Sequence, residues 1–372
     1  MVQLGLQICC YHNDKKGIDM KDFYEKFSIG GKIFDAFSEP YCVAEVGINH
    51  NGNLDTALKM IEVAKESHAD AVKFQTFKAD EFCGDPNQEF SYHSEGKKIT
   101  EKMVSMFKRY ELSEESWKII KKRCDDVGIT FFSSPQNKSD LDFLLKIGVS
   151  VIKVGSDDFT NIPLLKSYVE TKLPIILSCG MSDLSEVYQA LEAVGWFLGY
   201  PVGLLLCTSE YPTPPNDINI NKLLTLKNAF PGLLLGFSDH SQGHLAATLA
   251  VGMGAKIFEK HFTLSNDLKG PDHWFSENPE GLKDWVSAIK TSYKMLGSPH
   301  VKPTQNELVN KKEFQRVIVA SKQIFKDEKF SKENLCMRRV AGGDGFSPAI
   351  YESLIGKKAW KNFSKFEPIK FS

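Results

Sequence analysis

Leu233-Leu234-Leu235-Gly236-Phe237-Ser238-Asp239-His240 is followed by an Ala- and Leu-rich stretch over 245–254. Ala255-Lys256-Ile257-Phe258-Glu259-Lys260-His261 then follows. The pattern predicts strand, helix, strand, with a histidine at the carboxyl end of each strand. In a parallel sheet or barrel such ends gather on one face, where active sites form. Two neutral imidazoles on adjacent strands suit a divalent metal. The plainer reading is two polar residues at strand ends.

Outward from this unit the same alternation recurs. Strand-like runs are expected over 41–46, 71–76, 130–133, 151–154, 174–178, 202–207, 233–237 and 256–262. Helical stretches fall between them, and a further one spans 279–296. Eight strands alternating with eight helices predict a closed parallel (β/α)8 barrel, the TIM barrel, in an α/β protein. Gly128, Gly148, Gly195, Gly232 and Gly254 sit where helices should end. Phe27 to Phe34 reads as a short hairpin around Gly30-Gly31 that could cap the barrel's bottom. The stretch 78–112 reads as a long loop on the catalytic face, and such loops are often lids or partner contacts.

The composition narrows the function. The chain has 372 residues, 42% hydrophobic and 25% charged, with a net charge of −1. That balance argues for a globular protein and against a nucleic-acid surface. No apolar stretch reaches membrane-spanning length, and the N-terminus lacks a signal-peptide pattern. The eight cysteines form no C-x-x-C pair, so neither a zinc ribbon nor a thioredoxin motif is expected, and a reducing cytoplasm is the expected compartment.

Strand side chains alternate, so residues two apart share a face. Lys73 and Gln75 are therefore expected to point together into the barrel, and Lys153 repeats the pattern on the fourth strand. A lysine in a barrel needs an anionic partner. Ser134, Ser178, Ser209 and Ser238 lie at or just beyond strand ends, and Ser156 follows Lys153 closely. Two lysines and a ring of hydroxyls suit a phosphate and a carboxylate. The competing reading pairs each lysine with Glu45 or Glu259. Glu259 shares a face with His261 and could orient a ligand or a lysine. Tyr211, before Pro212 and Pro214-Pro215, reads either as an arm over the site or as a stiff loop.

Five segments carry a resemblance: Ala44-Glu45-Val46-Gly47-Ile48-Asn49-His50-Asn51-Gly52, Ala69-Asp70-Ala71-Val72-Lys73-Phe74-Gln75-Thr76, Ile152-Lys153-Val154-Gly155-Ser156, Gly236-Phe237-Ser238-Asp239-His240 and Phe258-Glu259-Lys260-His261-Phe262-Thr263-Leu264. With Gly270-Pro271-Asp272-His273 they resemble, in order, the nonulosonic (sialic) acid synthases. The tail resembles the antifreeze-like (SAF) domain of those enzymes through Val319-Ala320-Ser321-Lys322, Arg338-Arg339, Gly345-Phe346-Ser347-Pro348 and Leu354-Ile355-Gly356-Lys357-Lys358. The organisation expected is an extension and hairpin over 1–40, a barrel over 41–297, a linker over 298–313 and an SAF domain over 314–372.

The resemblance implies that phosphoenolpyruvate condenses with an open-chain N-acetylated amino sugar to give a nine-carbon 2-keto acid and phosphate. Manganese or magnesium would sit on His240 and His261. Lys73, Ser134, Lys153, Ser156, Ser178, Ser209 and Ser238 would hold phosphoenolpyruvate, with Glu45 as the acid–base or orienting carboxylate. Gln75, Tyr211 and Asp272 would touch the sugar, and Arg339 would reach its acyl group from the partner of a domain-swapped homodimer. The family's Arg-Pro-Gly-x-Gly in the tail is here the longer Arg339-Val340-Ala341-Gly342-Gly343-Asp344-Gly345, without proline. Residues 1–26 have no counterpart in the resemblance.

Overall fold

The computed structural model describes residues 27–35 and 38–371. The expected extension 1–26, with Cys9 and Cys10, lies outside the described residues. The chain divides into two compact units at Gly297/Ser298.

The first unit holds eight parallel strands. These are β1 (Tyr41–Gly47), β2 (Ala71–Thr76), β3 (Thr130–Pro135), β4 (Ile152–Val154), β5 (Ile175–Ser178), β6 (Val202–Cys207), β7 (Leu234–Ser238) and β8 (Ile257–His261). The hydrogen-bonded order is β3-β2-β1-β8-β7-β6-β5-β4, and β4 packs beside β3, so the sheet nearly closes. This is a TIM barrel. The helices that cover it are α1 (Leu54–Glu66), α2 (Glu114–Val127), α3 (Lys138–Ile147), α4 (Ile162–Val169), α5 (Leu184–Ala193), α6 (Lys222–Ala229), α7 (Leu245–Met253) and α8 (Pro279–Leu296). Their ends follow local chemistry. Asn53 and Ser113 accept backbone N–H groups at the starts of α1 and α2, and Gly128, Gly148 and Gly254 end α2, α3 and α7 in the left-handed conformation.

The barrel interior is built in layers, which sets the level of the site. At the bottom, Tyr41, Val43, Ala71, Phe132, Val151, Ile176, Leu205 and Ile257 form one apolar cluster with Phe27, Ile29 and Phe34. Those last three belong to the hairpin expected around Gly30-Gly31, whose strands Ser28–Ile29 and Lys32–Ile33 pair antiparallel. Burying a side chain of this size contributes roughly 1.5–3 kcal/mol, so the hairpin seals the barrel with apolar plugs. Two residues further along each strand, the same inward face turns polar: Glu45, Lys73, Ser134, Lys153, Ser178, Cys207 and Glu259 replace Val43, Ala71, Phe132, Val151, Ile176, Leu205 and Ile257. The period of two places a polar layer on an apolar floor.

Two expectations need correction. The stretch 78–112 is not an irregular loop. It contains a helical turn (Ala79–Phe82), an antiparallel hairpin (Glu89–Ser94 with Lys97–Lys102) and a helix (Met103–Tyr110). Its turn, Glu95-Gly96, has both φ angles positive, the twist that two-residue hairpin loops prefer. The stretch 298–313 is largely helical, because Thr304 and Glu307 form a capping box at the head of Gln305–Phe314. Elsewhere in the second unit, Val317–Ala320 pairs antiparallel with Leu335–Arg338. Ile318, Ile324, Phe330, Phe363 and Ile369 form its core.

Candidate active site

A pocket of about 280 Å³ opens above the polar layer. All the residues expected to form the site line it except Asp272 and Arg339. Asp272 lines an adjoining chamber, with Oδ2 3.8 Å from His261 Nδ1. Arg339 lies in the second unit, its guanidinium 5.8 Å from the Phe314 ring centroid.

Four charged groups form the pocket floor. Lys73 Nζ lies 3.1 Å from Glu45 Oε1 and 3.5 Å from Glu259 Oε1, and Lys153 Nζ is 3.7 Å from the same Glu259 oxygen. The carboxylate pairing weighed above is therefore present, with Glu259 shared between both lysines. The two carboxylates are driven apart. Burial pushes Glu45 up to about 7 against the pull of Lys73. Burial acts the same way on Glu259, but Lys153 and Lys73 outweigh it and hold that carboxyl below its usual range. Burial also lowers the pKa of Lys153. On Lys73 burial is outweighed by Glu259 and Glu45, and its pKa rises. Paired groups driven apart in this way take acid and base roles in active sites. Glu45 Oε2 is buried without a hydrogen-bond partner, while its Oε1 accepts from Gln75 Nε2 at 3.1 Å.

Hydroxyl groups surround the lysines. Lys153 donates to Ser178 Oγ at 2.7 Å and Lys73 to Ser134 Oγ at 3.3 Å. Ser156 Oγ accepts from the Gly180 backbone N–H at 3.0 Å. Gly180 permits a close approach here: a Cβ on it would lie 2.4 Å from Ser209 Oγ and 2.6 Å from Ser156 Oγ. Sequence reasoning passed over Gly180, although a glycine just past the end of β5 was a signal for close approach. It also left Cys207 out of the site, and Cys207 and Asp157 both line the pocket. Glu259 was weighed as a partner for the lysines and as an orienting group.

In the same pocket the His240 and His261 ring centroids lie 5.6 Å apart, and the Tyr211 ring sits 4.1 Å from that of His240, tilted by 33°. Tyr211 is thus an arm over the site. His240 Nδ1 lies 2.7 Å from the Thr208 carbonyl; in the neutral ring Nδ1 donates there and Nε2 keeps its lone pair. His261 Nδ1 is buried with no hydrogen-bond partner. Burial and then the charge of His240 hold the His261 pKa well below its ordinary value, which favours the neutral ligand form. Both rings fit a divalent ion. Among the described residues no group of three or more His, Cys, Asp or Glu is arranged to hold one.

Behind the histidines, on the outward face of the same strands, Lys260 Nζ meets Asp239 Oδ2 at 3.0 Å and Glu277 Oε1 at 3.6 Å. Asp239 also accepts from Ser241 N–H, Ser241 Oγ and Trp285 Nε1. Asn49 and Asn51 hold the loop after β8. Asn49 Nδ2 donates to Phe262 O and Ser276 Oγ, and Asn51 Oδ1 lies 3.0 Å from His273 Nε2.

Residues 60–301 match the model of the NeuB family. The chain belongs to the NeuB family. As a NeuB-family member it is an enzyme, a nonulosonic acid synthase. It is 39% identical to the N,N'-diacetyllegionaminic acid synthase of Legionella pneumophila, over 87% of this chain and 91% of that protein. It is 31% identical to the N-acetylneuraminate-9-phosphate synthase of Homo sapiens, over 86% of this chain and 88% of that one. A crystal structure of the N-acetylneuraminic acid (sialic acid) synthetase of Leptospira borgpetersenii, in complex with citrate, matches with a TM-score of 0.69 and 31% identity. That match covers 77% of this chain and 95% of the other.

Proposed function

We propose that the pocket condenses phosphoenolpyruvate with an open-chain, N-acetylated amino sugar resembling N-acetylmannosamine. One molecule of water is consumed, and the products are a sialic-acid-type 2-keto sugar acid and inorganic phosphate. The observation that carries this reading is one pocket lined both by buried Lys73 and Lys153 with their serine hydroxyls and by His240 and His261. Lys73, Lys153, Ser134, Ser156, Ser178, Ser209 and Ser238 bind the phosphate and carboxylate of phosphoenolpyruvate. Gln75, Tyr211 and Asp272 position the sugar.

His240 and His261 would hold the divalent ion, manganese or magnesium, which when bound supplies Lewis-acid polarisation of the aldehyde oxygen. Glu45, raised to about 7 by its burial, is placed to take the proton of the water that adds to the former enol carbon, or to orient it. The new carbon–carbon bond joins the enol methylene to the aldehyde carbon, and the phosphate departs with its bridging oxygen. A second reading, a diacetamido hexose as acceptor, is supported by the 39% identity to the legionaminic acid synthase. Phosphate release should require phosphoenolpyruvate and an acetamido sugar together, and the product mass should equal both substrates plus water less phosphoric acid. Release without any sugar would contradict the proposal.

A further inference from the structure

Gln136, the residue after β3, lines the pocket, and its Oε1 is buried without a hydrogen-bond partner. It lies two residues beyond Ser134, the hydroxyl that accepts from Lys73. Its backbone N–H donates to the Thr76 carbonyl at 3.0 Å, which sets it beside the segment that follows β2. Ser139 Oγ, in the first turn of α3, ties the same segment again by donating to Glu81 Oε2 at 2.6 Å. That segment supplies Phe77 and Phe82, whose ring centroids lie 5.2 and 5.1 Å from that of Phe107. All three rings line the pocket with Gln136. The carboxamide therefore stands just beyond the lysine floor, beside an aromatic face.

The chemistry of that oxygen limits its partner. A carboxamide oxygen only accepts. Ionised phosphoenolpyruvate presents carboxylate and phosphate oxygens, which also only accept, so it cannot complete Gln136 Oε1. An acetamido sugar does carry donors, its hydroxyls and its amide N–H. Gln136 lines the pocket that holds His240 and His261 and not the adjoining chamber, so the donor belongs to a carbon close to the aldehyde. The acetamido group next to the aldehyde meets both surroundings: it offers an N–H to the oxygen and a methyl to the rings. Resting on the acceptor-sugar reading above, we propose that Gln136 is a specificity-determining residue whose Oε1 accepts the amide N–H of that acetamido group, with Phe82 and Phe107 against its methyl.

The test measures phosphate release by the unmodified protein, Gln136→Met and Gln136→Glu. The acceptors are N-acetylmannosamine, a diacetamido deoxy hexose, and the 2-O-acetyl counterpart of whichever is used, in which an ester oxygen replaces the N–H. The unmodified protein should use the ester about tenfold less well in kcat/KM, the loss expected for one buried hydrogen bond. Equal use of ester and amide overturns the proposal without any variant. Gln136→Met, which keeps the length and removes the acceptor, should raise the KM of the amide sugar about tenfold and treat ester and amide alike. Gln136→Glu retains an accepting oxygen and should hold that KM within about threefold of the unmodified protein. The Kd of phosphoenolpyruvate for Gln136→Met, measured by calorimetric titration, should be unchanged. Weakened phosphoenolpyruvate binding with an unmoved sugar KM would mean that the amide N–H serves phosphoenolpyruvate instead, and would overturn the proposal. Release with neither acetamido sugar by the unmodified protein would overturn the parent reading, a result distinct from each of these.

Discussion

Strand β8 carries two buried charge clusters, one on each face, and they are built to opposite ends. Inward, Glu259 shares its charge between Lys73 and Lys153, while Glu45 Oε2 and His261 Nδ1 are left without hydrogen-bond partners. Outward, Lys260 is held by Asp239, Glu277 and the Ser241 carbonyl, and Asp239 receives the Trp285 and Ser241 donors. The outer cluster is saturated and closed. The inner one is open to a pocket and short of hydrogen bonds. Half-satisfied polar networks cost stability unless a ligand completes them, so the difference separates a binding site from a brace. Asp239 and Lys260 each precede a histidine, so the brace fixes the two strands that carry the rings.

This contrast can be broken in several places. The largest effect is expected inside. Lys153→Met should lower kcat/KM by roughly a thousandfold, about 4 kcal/mol at the transition state, yet leave the melting temperature unchanged or higher, since burial disfavours that lysine's charge. A melting temperature falling in step with activity would show that the inner cluster is structural too. Lys260→Met should do the reverse, lowering the unfolding free energy by about 3 kcal/mol, as breaking a buried pair does, measured by denaturant titration. Adding Asp239→Leu should recover part of that loss. A deficit of about 1–2 kcal/mol should persist because Trp285 Nε1 and Ser241 N–H lose their acceptor. The smallest effect is expected for Ser178→Ala, which removes one hydroxyl from Lys153 and should raise the KM for phosphoenolpyruvate about tenfold with little change for the sugar.

Most of the barrel could be read in advance, because parallel strands buried on both faces appear as uninterrupted apolar runs. The inward layer was legible for the same reason that Lys73 and Gln75 were paired: a period of two carries each position to the next layer. The hairpin over 89–102 was not legible, since Glu89–Ser94 and Lys97–Lys102 are mostly polar and exposed. Only Phe90, Tyr92 and Ile99 mark its apolar side, although Glu95-Gly96 was an available turn signal. The outer brace was hidden for a different reason. Asp239 and Lys260 sit beside histidines in the sequence and draw attention as part of a motif, yet their partner Trp285 lies in α8, far along the chain.

The central claim is that the open inner cluster is a site for phosphoenolpyruvate and the closed outer one is not. Calorimetric titration of phosphoenolpyruvate into the unmodified protein, Lys153→Met and Lys260→Met tests it most directly. The account predicts binding by the unmodified protein, affinity at least about a hundredfold weaker in Lys153→Met, as expected for losing a buried charge-assisted contact, and near-normal binding by folded Lys260→Met. Undiminished affinity in Lys153→Met would contradict it.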